Sequence, residues 1–544
     1  MSTNKTKILF PLLILVIWIF SYIVCTINLE PKIEWDEAKY IACAKGIAEN
    51  LDFSSRSTTI EGLIKYSFPQ NTHHYPLDSM YIAIFFKLFG ASVKVAYFSN
   101  WFACLMTCFF IYLTMLLMTN NNRIISFFFA ISFLYLPNVI TYCNSAMMEI
   151  PGCAILACLC FLIFKNISQR KTSPILFGLS AICLYFYKSL FIGIVCGFIL
   201  LFIFISKRQR KNIFYFNLAK LLGIIFVVYF IFKKFVFLPL APWMYFFPKQ
   251  GGIEGLYANF AGGFFNDIVG NLQNNFFIFL EKVVFRYYPF FVNFFLPKGK
   301  AFYPIIPYWF EFGIYFLAFF YMIVFSVFLQ KILSPIQKYF ILFTSISIIT
   351  FNVILGSIVG FTGLGLLYRY NLFYFPLLVI SLGIIFYSIF NSFSSLFLKY
   401  KARVCFVLLS FIFLAYIPVY YCSKLVINGG ESWDYYTTHK NTEIVKKYIL
   451  DSKPMFIYIT GGSHISWDLF PVREVFMEAT NEKMKKINST LPKPIEYLFL
   501  KPENILFKEN QNLILKGQPI INNSYTFFGI DTVNKIVVYK LRSD

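Results

Sequence analysis

Three acidic residues directly follow an apolar run that is long enough to cross a bilayer. The run is "ILFPLLILVIWIFSYIVCTIN", and Glu34, Asp36 and Glu37 belong to the next stretch, "PKIEWDEAKYIACAKGIAEN". A carboxylate at the mouth of a helical bundle can take a proton from an attacking group, as a general base does. We therefore take Asp36 and Glu37 as candidate catalytic residues. Their alternative role is to stabilise the start of a helix through its dipole.

Glu149, in "NSAMMEIPGC", is the only acid between residues 79 and 253 of the sequence. It opens a predicted span, where a carboxylate can satisfy free backbone N–H groups. An ionisable residue near membrane depth is also a functional candidate by default, so we take Glu149 as a third catalytic candidate. The sequence leaves open whether a divalent metal ion takes part, and Glu149 and His74 are the candidate ligands.

Three cations stand alone in apolar or aromatic surroundings. Lys188 lies in "LYFYKSLF", Arg286 in "VVFRYYPFF" and Arg369 in "LLYRYNLFYFP". A guanidinium group bonds phosphate oxygens in pairs, and a fixed cation stabilises a developing negative charge. A phosphate held at a membrane interface implies a lipid-linked substrate whose tail stays in the bilayer. The alternative for Lys188 is snorkelling of its ammonium group to the interface.

The composition is that of a polytopic α-helical membrane protein. Of 544 residues, 58% are hydrophobic and 14% are charged, whereas a soluble domain carries about 25% charged residues. Apolar stretches predict about eleven transmembrane helices. Their predicted bounds are 8–28, 95–118, 124–142, 150–165, 174–187, 189–205, 214–236, 308–329, 339–360, 369–390 and 404–424. The pair 174–187 and 189–205 is alternatively one broken element around Lys188.

The net charge of +22 is concentrated in short loops such as 206–211 and 399–403, which contain no acid. Because Lys/Arg-rich short loops stay in the cytoplasm, this charge indicates orientation and contact with anionic lipid, and not nucleic-acid binding. Span parity then places the N-terminus in the cytoplasm. All 26 acids fall in or beside the segments that parity places outside, which is an independent check. We expect the inner (plasma) membrane of a bacterium.

Three external regions carry predicted structure. In 29–94, apolar residues recur at helical spacing after Asp36, which predicts an amphipathic helix on the outer membrane surface, and 79–94 predicts a second one. Region 237–307 is aromatic and rich in proline, which predicts interfacial helices that cover a cavity. Residues 425–544 are polar and predict a soluble extracytoplasmic α/β domain with strands in "MFIYITGG" and "KIVVYKL".

Five motifs occur in a fixed order over about residues 8–380. They are Asp36, Glu37, Ala38 and Tyr40 in "WDEAKY"; Pro76, Leu77, Phe89 and Gly90 in "HYPLDSMYIAIFFKLFG"; Glu149 in "MEIPG"; Lys188 in "LYFYKSL"; and Arg369 with Tyr370 in "YRYNLFYFP". In this order they resemble the GT-C class of membrane glycosyltransferases, in the branch of the protein O-mannosyltransferases (glycosyltransferase family 39-like) and lipid A aminoarabinose transferases. The resemblance implies that residues 1–424 form a GT-C-like catalytic module.

The resemblance also implies an inverting transfer of a hexose or pentose from a polyprenyl-phosphate donor on the extracytoplasmic side. Asp36 would be the catalytic base, assisted by Glu37, and Glu149 would be a second acid in the cavity. The donor phosphate would be bound by Lys188, Arg369 and His74, and the cavity would be lined by Tyr40, Tyr75 and Tyr370. Arg286 belongs to no motif of the class, and we add it as a phosphate-binding candidate because it is a cation in an external aromatic segment.

The sequence departs from the class pattern at several positions. Glu149 stands where Asp is usual, His74 or Tyr75 takes the place of a phosphate-contacting Lys, and Ser189 replaces a Gly. The aminoarabinose substrate therefore does not carry over to this chain. The sequence leaves open the sugar, the lipid carrier and whether the acceptor is a glycolipid, a polysaccharide or a protein.

Two other functions fit parts of the sequence. A transporter or flippase of a lipid-linked saccharide would use similar cations but would not need Asp36 for chemistry. A structural scaffold would not explain the lone Glu149 and Lys188 in apolar contexts. No Walker motif, GxSxG elbow, HExxH or Rossmann fingerprint occurs, which argues against ATPase, hydrolase and dehydrogenase functions.

Overall fold

A computed structural model describes residues 2–27, 35–51, 57–59, 77–188, 191–207, 211–237, 332–359, 371–393, 445, 447–449, 456–459, 473–476, 479–491, 493–532 and 535–542. The predicted spans 308–329 and 404–424 lie outside these residues. So does the second external region after residue 237.

The apolar part of the chain is helical, and one continuous hydrophobic core joins its helices. The helices are α1 (Ser2–Thr26), α2 (Trp35–Asn50), α3 (Leu77–Phe89), α4 (Val93–Met118), α5 (Arg123–Leu134), α6 (Pro137–Cys143), α7 (Glu149–Ser168), α8 (Pro174–Tyr187), α9 (Ile192–Ser206), α10 (Lys211–Ile231), α11 (Pro335–Val359) and α12 (Phe375–Phe393). A π-helical turn (Phe232–Phe237) follows α10, and a 3₁₀ turn (Asn371–Tyr374) precedes α12.

The chain is an integral membrane protein. Four helical segments of the described residues are long and apolar enough to cross a bilayer, namely Ile8–Thr26, Val93–Met118, Glu149–Ser168 and Asn212–Ile231. The first and the last of these expose most of their apolar side chains, such as Ile8 and Phe226. A soluble protein rarely exposes contiguous apolar surface of this extent, so these faces contact lipid.

Polar caps fix where several of the helices begin. The side chains of Ser92, Asn122 and Ser173 accept a hydrogen bond from a backbone N–H in the first turn of α4, α5 and α8 respectively. Such caps satisfy donors that have no partner within the helix. In α8 the cap is followed directly by Pro174, which suits the first helical position because its ring fixes φ.

The predicted span 124–142 is wrong as a single helix. It is divided into α5 and α6, with Tyr135 and Leu136 between them. The break has a local cause, because Pro137 disfavours helical geometry at the residue before it and cannot donate a backbone hydrogen bond. The Leu136 backbone is accordingly extended.

The segment around Lys188 is a helical hairpin. Phe177 of α8 packs against both Phe198 and Phe202 of α9, so the two helices run antiparallel. Each is shorter than the roughly 20 residues of a full span. Lys188 lies at the turn, as the C-cap of α8.

Helices α2 and α3 confirm the two helices predicted in the first external region. They pack against each other. In α2 the predicted apolar positions Tyr40, Ile41 and Ala44 are buried, but Ala42 and Cys43 are buried as well. The helix is therefore covered on a wider arc than an amphipathic helix resting on a membrane surface would be, because α3 and the bundle enclose it from different sides.

The C-terminal residues supply five strands of a six-stranded mixed sheet, whose order is β1-β3-β2-β4-β6-β5. Its elements are β1 (Ser57–Thr59), β2 (Phe456–Ile459), β3 (Arg473–Phe476), α13 (Asn481–Thr490), β4 (Tyr497–Leu500), α14 (Ile505–Glu509), α15 (Gln511–Leu515), β5 (Tyr525–Asp531) and β6 (Ile536–Leu541). The predicted strands in "MFIYITGG" and "KIVVYKL" are confirmed as β2 and β6. Alternate residues of β4 enter separate apolar clusters, so both faces of the sheet are covered.

One strand of this sheet comes from the first external region. β1 pairs in parallel with β3, with Ser57 opposite Glu474 and Thr59 opposite Phe476. The sheet is therefore not built from residues 425–544 alone. The pairing ties the chain just after α2 to the edge of the C-terminal sheet.

Candidate active site

Glu149 and Lys188 form a buried ion pair. The Lys188 ammonium Nζ lies 3.6 Å from Glu149 Oε1, and the exposed fraction of each side chain is 0%. Moving a charge from water into a protein interior costs roughly several kcal/mol per ion. The attraction between the two charges must offset this desolvation cost. Sequence reasoning identified the two residues separately, and the structure brings them together.

Helix ends account for the positions of both charges. Glu149 is the first residue of α7, where the helix dipole favours an anion, and Lys188 caps the C-terminus of α8, where it favours a cation. Because α7 and α8 pack against each other, these two ends meet. The local fold thus places opposite charges side by side at one level of the bundle.

The 3₁₀ turn before α12 closes this site from a third side. The Lys188 ammonium lies 4.9 Å from the centre of the Phe373 ring, at cation–π distance. The Cys153 thiol donates to the Leu372 carbonyl at 3.1 Å. Gly152 permits the close approach, since a Cβ there would lie 2.6 Å from the Phe373 ring.

Glu37 is buried and belongs to the support of the site. Its Oε1 accepts a hydrogen bond of 2.8 Å from the backbone N–H of Ala146, which lies in the turn that leads to Glu149. The Asn100 amide of α4 donates to carbonyls of the same turn, at 2.6 Å to Ser145 and 2.8 Å to Met147. These bonds fix the turn from two helices, and thereby fix the start of α7.

Asp78 and Tyr187 lie beside the ion pair and were missed at the sequence level. Asp78 is buried in the first turn of α3, and its Oδ1 lies 2.8 Å from the Tyr187 hydroxyl. That hydroxyl also lies 2.6 Å from the Met148 carbonyl. The signal that could have found Asp78 is the one that identified Glu149, an acid at the head of an apolar helix.

The remaining predicted site residues divide into two groups. Tyr40 is buried in α2, and Asp36 is the second residue of that helix, although its side chain is not described. The others lie outside the described residues, and they are His74, Tyr75, Arg286, Arg369 and Tyr370. Asn371 directly follows Arg369 and Tyr370, and it begins the 3₁₀ turn that contacts Lys188.

The described residues contain no group of three His, Cys, Asp or Glu side chains that could hold a metal ion. Next to Glu149, the position that a cation would take holds the ammonium of Lys188. A divalent ion bound there would meet this like charge. His74, the other candidate ligand, lies outside the described residues.

The arrangement can bind an anion at Lys188. In the observed state Glu149 neutralises the ammonium, and a phosphate oxygen would be a competing partner of the same charge. The surroundings are apolar and aromatic, which strengthens any electrostatic interaction formed in them. The site therefore combines the Lys188–Glu149 ion pair with two further acids, Glu37 and Asp78, in low-dielectric surroundings at the ends of several helices.

No protein-family model and no curated protein matches the sequence. Solved structures give matches along most of the chain, with TM-scores below 0.5. ArnT from Cupriavidus metallidurans bound to undecaprenyl phosphate has a TM-score of 0.45 and 11% identity over 99% of this chain and 98% of that one. The apo Archaeoglobus fulgidus oligosaccharyltransferase has a TM-score of 0.47 and 13% identity over 91% of this chain and 70% of that one.

A further solved structure is AglB from Archaeoglobus fulgidus in complex with an inhibitory peptide and a dolichol-phosphate. It has a TM-score of 0.44 and 13% identity over 99% of this chain and 75% of that one. ArnT and AglB are GT-C glycosyltransferases.

Proposed function

We propose that this protein is a GT-C-type glycosyltransferase that moves a sugar from a polyprenyl-phosphate donor to an acceptor at the extracytoplasmic face. The observation that carries the proposal is the buried ion pair of Glu149 and Lys188, 3.6 Å apart. An apolar pair of similar size would fill the same space with no desolvation cost. Ionisable groups inside a membrane bundle mark substrate sites by default.

Lys188 is the proposed contact for the donor phosphate. When the donor binds, its phosphate takes over part of the role of Glu149 as partner of the ammonium. When the sugar leaves, the phosphate gains negative charge, and Lys188 stabilises it in surroundings that exclude water. Arg369 and His74 are proposed to extend this contact, as the motifs imply, and Arg286 is proposed as a further phosphate contact.

Asp36 is the proposed general base. An acceptor hydroxyl attacks the anomeric carbon and gives its proton to the Asp36 carboxylate. The bond between that carbon and the phosphate oxygen breaks, its electron pair stays on the phosphate, and the configuration inverts. Glu149 orients the sugar or the acceptor, and Tyr40, Tyr75 and Tyr370 line the cavity.

The position of α2 supports this role for Asp36. The neighbouring Glu37 is tied by its carboxylate to the backbone of Ala146, in the turn before Glu149. The backbone of Asp36 is therefore held close to the head of α7, where the ion pair lies. Besides its predicted assistance of Asp36, Glu37 is proposed to hold Asp36 near the reacting groups through this bond.

The strand pairing supports the proposed topology. Because β1 and β3 share a sheet, the first external region and the C-terminal sheet lie on the same side of the membrane, as span parity requires. With basic loops in the cytoplasm, that side is extracytoplasmic. We place the protein in a bacterial inner membrane, with a glycolipid, polysaccharide or protein as the acceptor.

Lipid mass spectrometry tests the proposal. Membranes are compared from cells that carry the wild-type protein, no protein, or the Asp36→Asn variant at equal abundance. We expect one polyprenyl-phosphate sugar to accumulate equally without the protein and with Asp36→Asn, because neither consumes the donor. Its mass identifies the class of sugar.

Two results would contradict the proposal. If a lipid-linked saccharide accumulates without the protein but not with Asp36→Asn, the carboxylate is not needed and the protein is a transporter or flippase. If no such lipid changes in either strain, the protein does not consume a polyprenyl-phosphate donor. Thermal unfolding of the purified variant shows that any loss is not due to misfolding.

A further inference from the structure

We infer that Asp78 is a positioning residue, which acts as a neutral carboxylic acid and fixes Glu149 relative to Lys188 through the Tyr187 hydroxyl. No motif of the sequence assigns it a role. That Asp78 is neutral and bonded to Tyr187 follows from the hydrogen-bond geometry and does not depend on the proposed function. Its effect on sugar transfer rests on the proposed function.

The Tyr187 hydroxyl joins three elements. Its oxygen lies 2.8 Å from Asp78 Oδ1 on α3 and 2.6 Å from the carbonyl of Met148, the residue before Glu149. Tyr187 itself is the residue before Lys188. One hydroxyl thus links the residue before Glu149 to the residue before Lys188.

Counting protons fixes the charge of Asp78. A carbonyl can only accept, so the 2.6 Å contact requires the single hydroxyl proton of Tyr187 to point at Met148. The 2.8 Å contact to Asp78 then lacks a proton unless the carboxyl group supplies one. Asp78 is therefore the donor to the Tyr187 oxygen, which requires it to be protonated.

The surroundings favour the same state. Asp78 Oδ2 is buried, and within the described part of the chain it has no hydrogen-bond partner. A carboxylate in this position would be poorly solvated. The pKa of Asp78 is raised to about 7, chiefly by burial; the Tyr187 hydroxyl lowers it in part, the Glu149 carboxylate adds to the rise, and Lys188 acts against it.

Among the residues that the structure describes, the titratable groups that face this network lie on α3, α6, α7 and α8. Glu149 faces Asp78 from α7, and Tyr187 and Lys188 face it from the end of α8. On α3 itself Tyr81 interacts with Asp78 and with Cys143 of α6. Only Lys188 among them carries a positive charge, and it is already paired with Glu149.

Ionisation of Asp78 would rearrange the site. A carboxylate can only accept, so it would draw the Tyr187 proton away from Met148. The hydroxyl would release the residue before Glu149, and a new negative charge would compete for Lys188 with the donor phosphate. Sugar transfer should therefore fall as the pH rises through about 7, the pKa of Asp78.

The Asp78→Asn variant separates this role from ordinary packing. The amide has nearly the same shape, donates to the Tyr187 oxygen and does not titrate. Wild-type transfer should fall about tenfold per pH unit above pH 7, whereas Asp78→Asn should stay within about fivefold of its own maximum from pH 6 to 8.5. An unchanged inflection in Asp78→Asn would overturn the inference.

An infrared difference spectrum gives a test that needs no transfer. The purified full-length wild-type protein, compared with Asp78→Asn at pH 6, should show the carbonyl stretch of one protonated carboxylic acid, which disappears above pH 8. If that band is missing at pH 6, Asp78 is ionised and the inference is wrong. If the band is present but the wild-type protein does not transfer sugar, the proposed function is wrong and the protonated Asp78 is supported.

Tyr187→Phe provides a second variant with the ring retained. It removes both hydrogen bonds, so transfer should fall at every pH, and Asp78→Asn added to it should cause no further loss. If the two substitutions instead reduced transfer independently, Asp78 would not act through Tyr187.

Discussion

The ammonium of Lys188 lies 3.6 Å from the carboxylate of Glu149, and neither side chain reaches the surface of the protein. One residue ends α8 and the other begins α7, so each charge is also stabilised by the dipole of its helix. Through this pair the ammonium of Lys188 is held in a fixed orientation within apolar surroundings. It is the feature from which the proposed chemistry follows.

Removing one member of this pair should destabilise the protein strongly. Lys188→Met leaves the Glu149 carboxylate buried without its ammonium, and such a change costs about 3–5 kcal/mol of unfolding free energy. The double variant Glu149→Gln with Lys188→Met should recover most of this loss, because no charge is left uncompensated. Thermal unfolding in detergent measures both effects.

The same variants separate stability from function. Sugar transfer should stay lost in the stable double variant, by about two orders of magnitude or more, because the cation that meets the phosphate is gone. Wild-type transfer by the double variant would show that the pair is only structural. That result would leave the donor phosphate without its proposed contact.

Glu37→Ala tests the support of the turn before Glu149. It leaves the buried Ala146 N–H without its acceptor, which costs about 1–3 kcal/mol, and transfer should fall because α7 begins at this turn. Glu49→Ala in the same helix is the matched control, since Glu49 is exposed. It should change neither property.

Glu37→Gln decides between positioning and chemistry. Its amide oxygen can still accept from Ala146, so most transfer should be retained if Glu37 only holds the turn. Complete loss of transfer at unchanged stability would make Glu37 a catalytic carboxylate, and would contradict the positioning role.

Gly152→Ala tests the close packing around Lys188. The new Cβ would lie 2.6 Å from the Phe373 ring and 3.1 Å from the Tyr187 ring, so the rings must move. We expect a loss of about 1–3 kcal/mol from overpacking and a clear loss of transfer. Gly223→Ala in α10 is the control, because nothing lies within 4 Å of its Cβ, and it should be neutral or slightly stabilising. Equal behaviour of the two variants would contradict the described packing.

A disulfide tests the pairing of β1 with β3. Ser57 and Glu474 are opposite each other in the parallel register, and paired strands lie within the Cα separation that a disulfide bridges. The double variant Ser57→Cys with Glu474→Cys should crosslink under mild oxidation and remain active. Each single variant serves as its control. Failure to crosslink in folded protein would show that the first external region does not join the sheet.

Local patterns predicted much of the fold. Apolar length gave the spans now seen as α1, α4, α7 and α10, and helical spacing after Asp36 predicted α2. The position of Pro137 carried the signal for the break between α5 and α6. The span 124–142 was predicted from apolar length alone, which does not register this break.

Contacts between distant parts of the chain could not be predicted in this way. Isolation in apolar sequence singled out Glu149 and Lys188 one at a time, but their pairing depends on how α7 packs on α8. The sequence analysis assigned no role to Asp78, and the role inferred for it follows from its contact with Tyr187. Likewise, β1 has only three residues, whereas strands are typically about 5–6 residues long. It is too short to show a pattern that would indicate a partner strand as distant in sequence as β3.

The most direct test of the central claim is a turnover assay in proteoliposomes. The reconstituted protein is given the polyprenyl-phosphate sugar that accumulates in cells without it, together with membranes that supply the acceptor. We predict that the wild-type protein releases one polyprenyl phosphate for each sugar transferred, and that Asp36→Asn is slower by about three orders of magnitude. If the wild-type protein and Asp36→Asn both move the intact donor across the bilayer and release no polyprenyl phosphate, the protein is a transporter and the transferase account is wrong.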